Sequence, residues 1–221
     1  MEDRVIPARM VRATGPVAAL AAGALCLAVA RPLVAQAVTD SSRTARTGLI
    51  PAGYGSLRRD DIALVVQTLG LNVTALPLDE SVIRTLAPDS YHMLHALRES
   101  KARQLDSVRT RMGLPSVQAW YVSFFNLQVG EARFDPTDFQ VQSAGRIFRP
   151  LQTFALTAGF GSGRLATHAT QGAIYAFDPG VDLTQPLTVT IGTQQNTSWG
   201  DALQLIEQER SLVWSRAAGK P

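Results

Sequence analysis

Residues 134–191 limit what this chain can fold into more than any other stretch. They run Phe-Asp-Pro-Thr-Asp-Phe-Gln-Val-Gln from Phe134, reverse at Ala144-Gly145 and resume as Arg-Ile-Phe-Arg-Pro from Arg146. After a glycine-rich gap come Gly-Ala-Ile-Tyr-Ala-Phe-Asp from Gly172 and Gln-Pro-Leu-Thr-Val-Thr-Ile from Gln185. Short apolar–polar alternations between Asp-Pro and Gly turns describe a half-buried antiparallel sheet, because successive side chains on a strand project to opposite faces. The stretch is a scaffold pattern and carries no catalytic constellation.

The beginning of the chain has a different logic. Arg4, Arg9 and Arg12 precede an almost wholly small or apolar run, residues 16–30, and Ala35-Gln36-Ala37 places small residues at both cleavage-determining positions. This predicts a secretory signal over 1–37, cleaved after Ala37. The apolar run is shorter than the roughly 20 residues a spanning helix requires, which favours cleavage over retention as an anchor. Cys26 follows Leu25 rather than a small residue, so lipidation is not expected, and there is no twin-arginine pair before the apolar run.

Cleavage changes the charge and the chemistry. Of 21 basic and 18 acidic residues, the leader takes four (Arg4, Arg9, Arg12, Arg31) and two (Glu2, Asp3), leaving a net charge of +1. A near-neutral mature chain has no electrostatic footprint for nucleic acid. Cys26 is the only cysteine and leaves with the leader, so disulfides, thiolate metal sites and a cysteine nucleophile are excluded. Packing alone must hold the fold, and the remaining length is enough to bury one core.

In chain order, residues 38–53 read as a flexible arm rich in Ser, Thr, Arg and Gly. A single domain over 54–217 follows. Strands are expected at 62–69 and 71–76, broken at Gly70, and a short capped helix at 79–86. A long helix at about 89–112 carries Leu94, Leu97, Leu105, Val108 and Met112 on one face, with the Lys101 stem filling the missing place, and ends at Gly113. The most aromatic strand, 118–127, alternates Trp120, Val122 and Phe124 against Tyr121, Phe125 and Leu127, so one face is expected to meet an opposing sheet and the other the long helix. A C-terminal helix at about 199–217 opens with Ser198 and Asp201 in capping-box spacing and carries Trp199, Leu203, Ile206, Val213 and Ala217 on one stripe.

The Phe-Asp-Pro-Thr-Asp-Phe and Gly-Arg-Ile-Phe-Arg-Pro segments, with Gly-Ala-Ile-Tyr-Ala-Phe-Asp-Pro before a Leu-Thr-Val strand, resemble immunoglobulin-like β-sandwich domains of exported bacterial envelope proteins. The resemblance covers about residues 134–191. It implies a mainly β fold, an immunoglobulin-like antiparallel β-sandwich with an inserted long helix and a C-terminal helix, and binding or scaffolding duties. It carries no functional residue across.

The candidate sites follow from spacing. His92 and His95 stand three apart on the long helix with Glu99 one turn on, a spacing that can offer a metal three ligands; the alternative is two surface histidines beside an apolar stripe. The Gly159–Gly163 run with Arg164 lacks the spacing of a phosphate loop. Ser162 lacks a nucleophile elbow and needs His168 and an acid brought to it by folding for a hydrolase to exist. Trp214, beside the stripe of the last helix, and Phe160, in the glycine-rich gap, are candidate partner contacts. The expected function is a non-catalytic extracytoplasmic binding or scaffolding protein of the periplasm or cell envelope, an extrinsic subunit of a membrane complex being one form, without a cofactor and with a protein partner. The alternatives are a glycan- or metal-binding module and a cryptic hydrolase.

Overall fold

The computed structural model describes residues 48–219; the expected leader and residues 38–47 of the expected arm lie outside them. From Ile50, which is buried, the chain is packed, and a one-turn helix α1 (Arg59–Ile62) leads into strands β1 (Leu64–Gln67) and β2 (Leu71–Pro77). Helices α2 (Glu80–Ile83), α3 (Pro88–Ser100) and α4 (Ala102–Met112) precede strands β3 (Gln118–Asn126) and β4 (Ala132–Arg133). Then come β5 (Phe139–Ser143), β6 (Arg146–Phe148), β7 (Gln152–Ala155), β8 (Arg164–Leu165), β9 (Thr170–Phe177), β10 (Leu187–Ile191) and β11 (Gln194–Asn196), and the C-terminal helix α5 (Trp199–Ala218).

The strands of the described residues form three antiparallel sheets: a five-stranded one ordered β1-β2-β3-β9-β7, a four-stranded one ordered β11-β10-β5-β6, and the β4-β8 pair. Helix occupies about as much of the described chain as strand, so the architecture is mixed rather than mainly β. Residues 134–191 supply strands to all three sheets. The hairpin between β5 and β6 turns at Ala144 (φ 49°) and Gly145 (φ 75°), with Ser143 facing Arg146. Positive φ at both central residues matches the twist of the flanking strands.

The two larger sheets face each other across a layer of rings. On β3 the period-2 alternation buries Trp120, Val122 and Phe124 completely. Trp120 meets Phe139 of β5 at 6.4 Å, and Phe139 meets Tyr175 and Phe177 of β9 at 5.2 and 5.8 Å. Trp199, the first residue of α5, closes one end against Trp120 at 6.5 Å and donates its indole N–H to the Leu183 carbonyl. Asn196 ties β11 back to β1 by donating to the Val65 carbonyl at 2.8 Å. On the other face of the large sheet, α4 reaches β7, where Arg111 donates to Gln152 at 3.1 Å.

Three local expectations change. Ile62 belongs to α1 rather than to a strand, because Asp61 accepts from the Arg58 N–H at 2.7 Å and closes a helical turn that aims Ile62 inward. The long helix is two, broken at Lys101 (φ −111°, ψ 7°), where Ser100 donates its hydroxyl to the Leu97 carbonyl. Leu94 on α3 and Leu105 and Val108 on α4 are buried on either side of the break, whereas Met112, on the same expected stripe, is 50 % exposed. Ser198 makes no capping bond to α5; its hydroxyl and N–H both donate to Asn196, which orders the entry instead.

The chain before α1 is strapped to α5. Gly55 lies so close to the Thr85 backbone that a Cβ there would sit 2.3 Å from its carbonyl. Leu57 bridges to Leu86, and Ser56 donates through its N–H and hydroxyl to Glu209 at 2.7 and 2.9 Å. Glu209 is 4 % exposed on the apolar stripe of α5, and Arg216 completes its shell at 2.5 Å while also donating to the Tyr54 carbonyl. Hydrogen bonds to a charged group stabilise by ~1.5–3 kcal/mol, so Glu209→Ala is expected to cost about 2–3 kcal/mol in urea denaturation. The same change is expected to open residues 54–57 to limited proteolysis.

Candidate binding surface

At one end of the two sheets, a single amide fastens two connections together and its neighbours tie in a third. The alternation that buries Trp120, Val122 and Phe124 carries on to Asn126, which is 0 % exposed. Its Oδ1 accepts from the Gln128 N–H at 2.8 Å, and its Nδ2 donates to the carbonyls of Gly130 (2.8 Å), Ala166 (3.0 Å) and Leu165 (3.3 Å). Gly130 N–H donates to the Thr167 hydroxyl at 2.8 Å, joining the loop after β3 to the loop before β9. The β1–β2 turn joins them: Leu127 N–H donates to the Gly70 carbonyl, and the Gln128 amide reaches the Leu69 carbonyl at 3.3 Å. Gly70 (φ +95°) leaves the room that Gln128 fills, since a Cβ would fall 2.0 Å from its Nε2.

This fixed frame presents apolar side chains to solvent. Leu69 is 100 % exposed, Val129 92 % and Leu127 46 %. Beside Leu69 lies a groove of about 570 Å³, floored by Leu71, Phe134 and Ile191 and rimmed by Thr68, Arg133, Asp135, Asp138 and the Gly192–Gln194 turn. Phe134 stacks on Phe124 at 4.4 Å, so the floor continues into the core. The wall that carries the two acids is held from inside, where the buried Tyr175 hydroxyl donates to the Pro136 carbonyl at 2.9 Å. Burial, helped by the charge of Asp135, pushes the Tyr175 phenol far up, so it stays a neutral donor. Asp135 accepts from the N–H and hydroxyl of Thr137, which holds its carboxyl below the usual range.

The predicted site residues are distributed elsewhere. His92 is exposed, whereas the His95 Nδ1 lies 2.7 Å from Glu80 of α2, not beside Glu99, which stands 3.6 Å from Arg98. Among the described residues no group of three His, Cys, Asp or Glu is placed to hold a metal ion. Phe160 is core, not surface: the left-handed Gly159 and Gly163 pinch the chain into one 3-10 turn that drives the ring against Phe124, Phe134 and Tyr175. The N–H groups of Phe160, Ser162 and Gly163 donate to the carbonyls of Thr157, Gly159 and Phe160 within the turn and its approach. Ser162 donates to the Gly159 carbonyl while His168 stacks on Phe125, and no hydrogen bond links the two. Trp214 is 39 % exposed, on the flank of α5 away from Leu205 and Leu212.

Sequence reasoning did not find the loop end. Its one signal was Asn126 at a strand position where period two demands an inward side chain. Glu80 was also missed. It accepts from Arg84 at 2.6 Å and from the Tyr91 hydroxyl at 3.4 Å as well as pairing with His95, and Arg84 extends the cluster to the Ile50 carbonyl. No family model matches the chain, and neither a curated protein nor a solved structure matches it. The loop-end geometry therefore stands on its own chemistry.

Two outcomes follow. Asn126→Ala strips four hydrogen bonds from buried or half-buried groups and is expected to cost about 2–4 kcal/mol, with hydrogen exchange accelerated selectively at Gln128, Gly130 and Ala169. Burial of Glu80 opposes its ionisation, but the Arg84 and His95 hydrogen bonds and charges outweigh this and lower its pKa. A lowered native pKa adds stability that is fully present above the unfolded value and is lost as pH falls through the folded one. Urea midpoints should therefore fall as pH drops below about 4.5, and Glu80→Gln should flatten that limb.

Proposed function

We propose that this protein is a non-catalytic extracytoplasmic binding or scaffolding protein of the cell envelope, an immunoglobulin-like sandwich that engages a protein partner through its loop end. The observation that carries the reading is the pairing of solvent-exposed Leu69 and Val129 with an apolar-floored groove on loops held by Asn126. Fully burying a Leu or Val side chain is worth ~1.5–3 kcal/mol, which a partner recovers and water does not. Loops already fixed by hydrogen bonds lose little further entropy on binding, so more of that gain appears as affinity. The leader-like residues 1–37 support placement outside the cytoplasm, and among the described residues no helix is long and apolar enough to cross a membrane. An extrinsic subunit of a membrane complex fits these features.

A photo-crosslinking residue at position 129, activated in intact cells, tests the reading. It is expected to capture an envelope protein, with Leu69→Asp lowering the yield at least about tenfold, a change of roughly 1.4 kcal/mol. The same probe at the exposed Met93 on α3 should capture nothing reproducible. Equal capture at both positions, or a chain that fractionates with the cytoplasm, would refute it.

A further inference from the structure

We propose that the loop end is a homotypic interface whose occupant is a second copy of this chain, docked about a two-fold axis. The inference rests on the binding reading above and names the partner. In an isologous contact one patch must hold both halves of every interaction. Here the knob and the hole are adjacent: the 100 % exposed Leu69 lies on the lip of the groove floored by Leu71, Phe134 and Ile191. A two-fold axis beside Leu69 places each copy's Leu69 in the other's groove.

The charges on the rim are self-complementary in the same way. Arg133, on the rim, and Arg164, its cross-strand neighbour just outside it, lie only loosely, at 3.9 and 3.8 Å, from the one carboxylate of Glu131, and neither has another ion pair among the described residues. The acids Asp135 and Asp138 line the same groove as Arg133, and Asp138 makes no side-chain hydrogen bond or ion pair among the described residues. Related by the two-fold, Arg133 of one copy faces Asp138 of the other, twice over. A foreign partner would require a single half of this set. Because knob and hole share one patch, the contact closes at two copies, whereas a knob distant from its hole would propagate into a filament.

The fixed geometry of the loops explains how such a surface persists in the free chain. Asn126 and Gln128 set the position of the Leu69 turn before contact, and Tyr175 sets the position of the acids. Association then proceeds without refolding either element.

The test is sedimentation velocity on the purified chain from about 1 to 200 µM, a range bracketing the affinities usual for modest interfaces. The mass is expected to move from one copy to two. Leu69→Asp, at a fully exposed position that leaves folding intact, should hold it at one throughout. Arg133→Asp and Asp138→Arg should each weaken association about tenfold or more, and the double exchange should restore it to within about threefold, as restored pairing requires. A single-copy mass at the highest concentration, or a dimer indifferent to Leu69→Asp, overturns the homotypic inference. If the chain is single-copy while a probe at position 129 still captures a different envelope protein, the binding reading survives without it; if both experiments are empty, both fail.

Discussion

The inward face of β3 is the constraint on which the rest depends. Trp120, Val122, Phe124 and Asn126 follow one another at the two-residue period of a strand, all completely buried. The first three bond the two sheets through rings and methyl groups, without direction and in proportion to the area removed from water. The fourth has direction. Its amide orders the loops after β3 and before β9 at the place where the sheets stop, so one strand both holds the core and shapes the surface.

That division explains where order and exposure meet. The groove floor is an extension of the core, since Phe134 stacks on Phe124 and Phe160 packs behind both. The groove wall is set by the buried Tyr175. At the opposite structural extreme, the strap of residues 54–57 is fastened by the buried Glu209 to α5, where Arg216 shares its charge. Removing one partner of a buried charge is far costlier than never having built the pair, which makes the strap a committed part of the fold.

The sheet pattern was legible because alternation and turn chemistry are local. The Ala144-Gly145 reversal, the burial parity of β3 and the Gly113 helix stop, with its φ of 64°, follow from residues within a few positions of one another. The break at Lys101 was not legible, since no Gly or Pro marks it. Phe160 read as an exposed contact because the glycines around it suggest a flexible loop, whereas their left-handed geometry folds that loop inward. His95 read as a candidate metal ligand or a surface histidine because its partner, Glu80, comes from a different helix. Glu209 and Asn126 were visible only as polar residues on apolar periods, a signal that shows tension without naming the partner that relieves it.

The central claim is that the loop end, rather than the helical side, is the surface this protein uses. Hydroxyl-radical footprinting of the protein in its native envelope, compared with the purified chain at low concentration, tests it most directly. The prediction is strong protection of Leu69, Leu127 and Val129 with unchanged labelling of Met93 and Met112, which are 46 % and 50 % exposed on the helices. Protection of the two methionines with the three loop-end residues labelled equally in both states would contradict it.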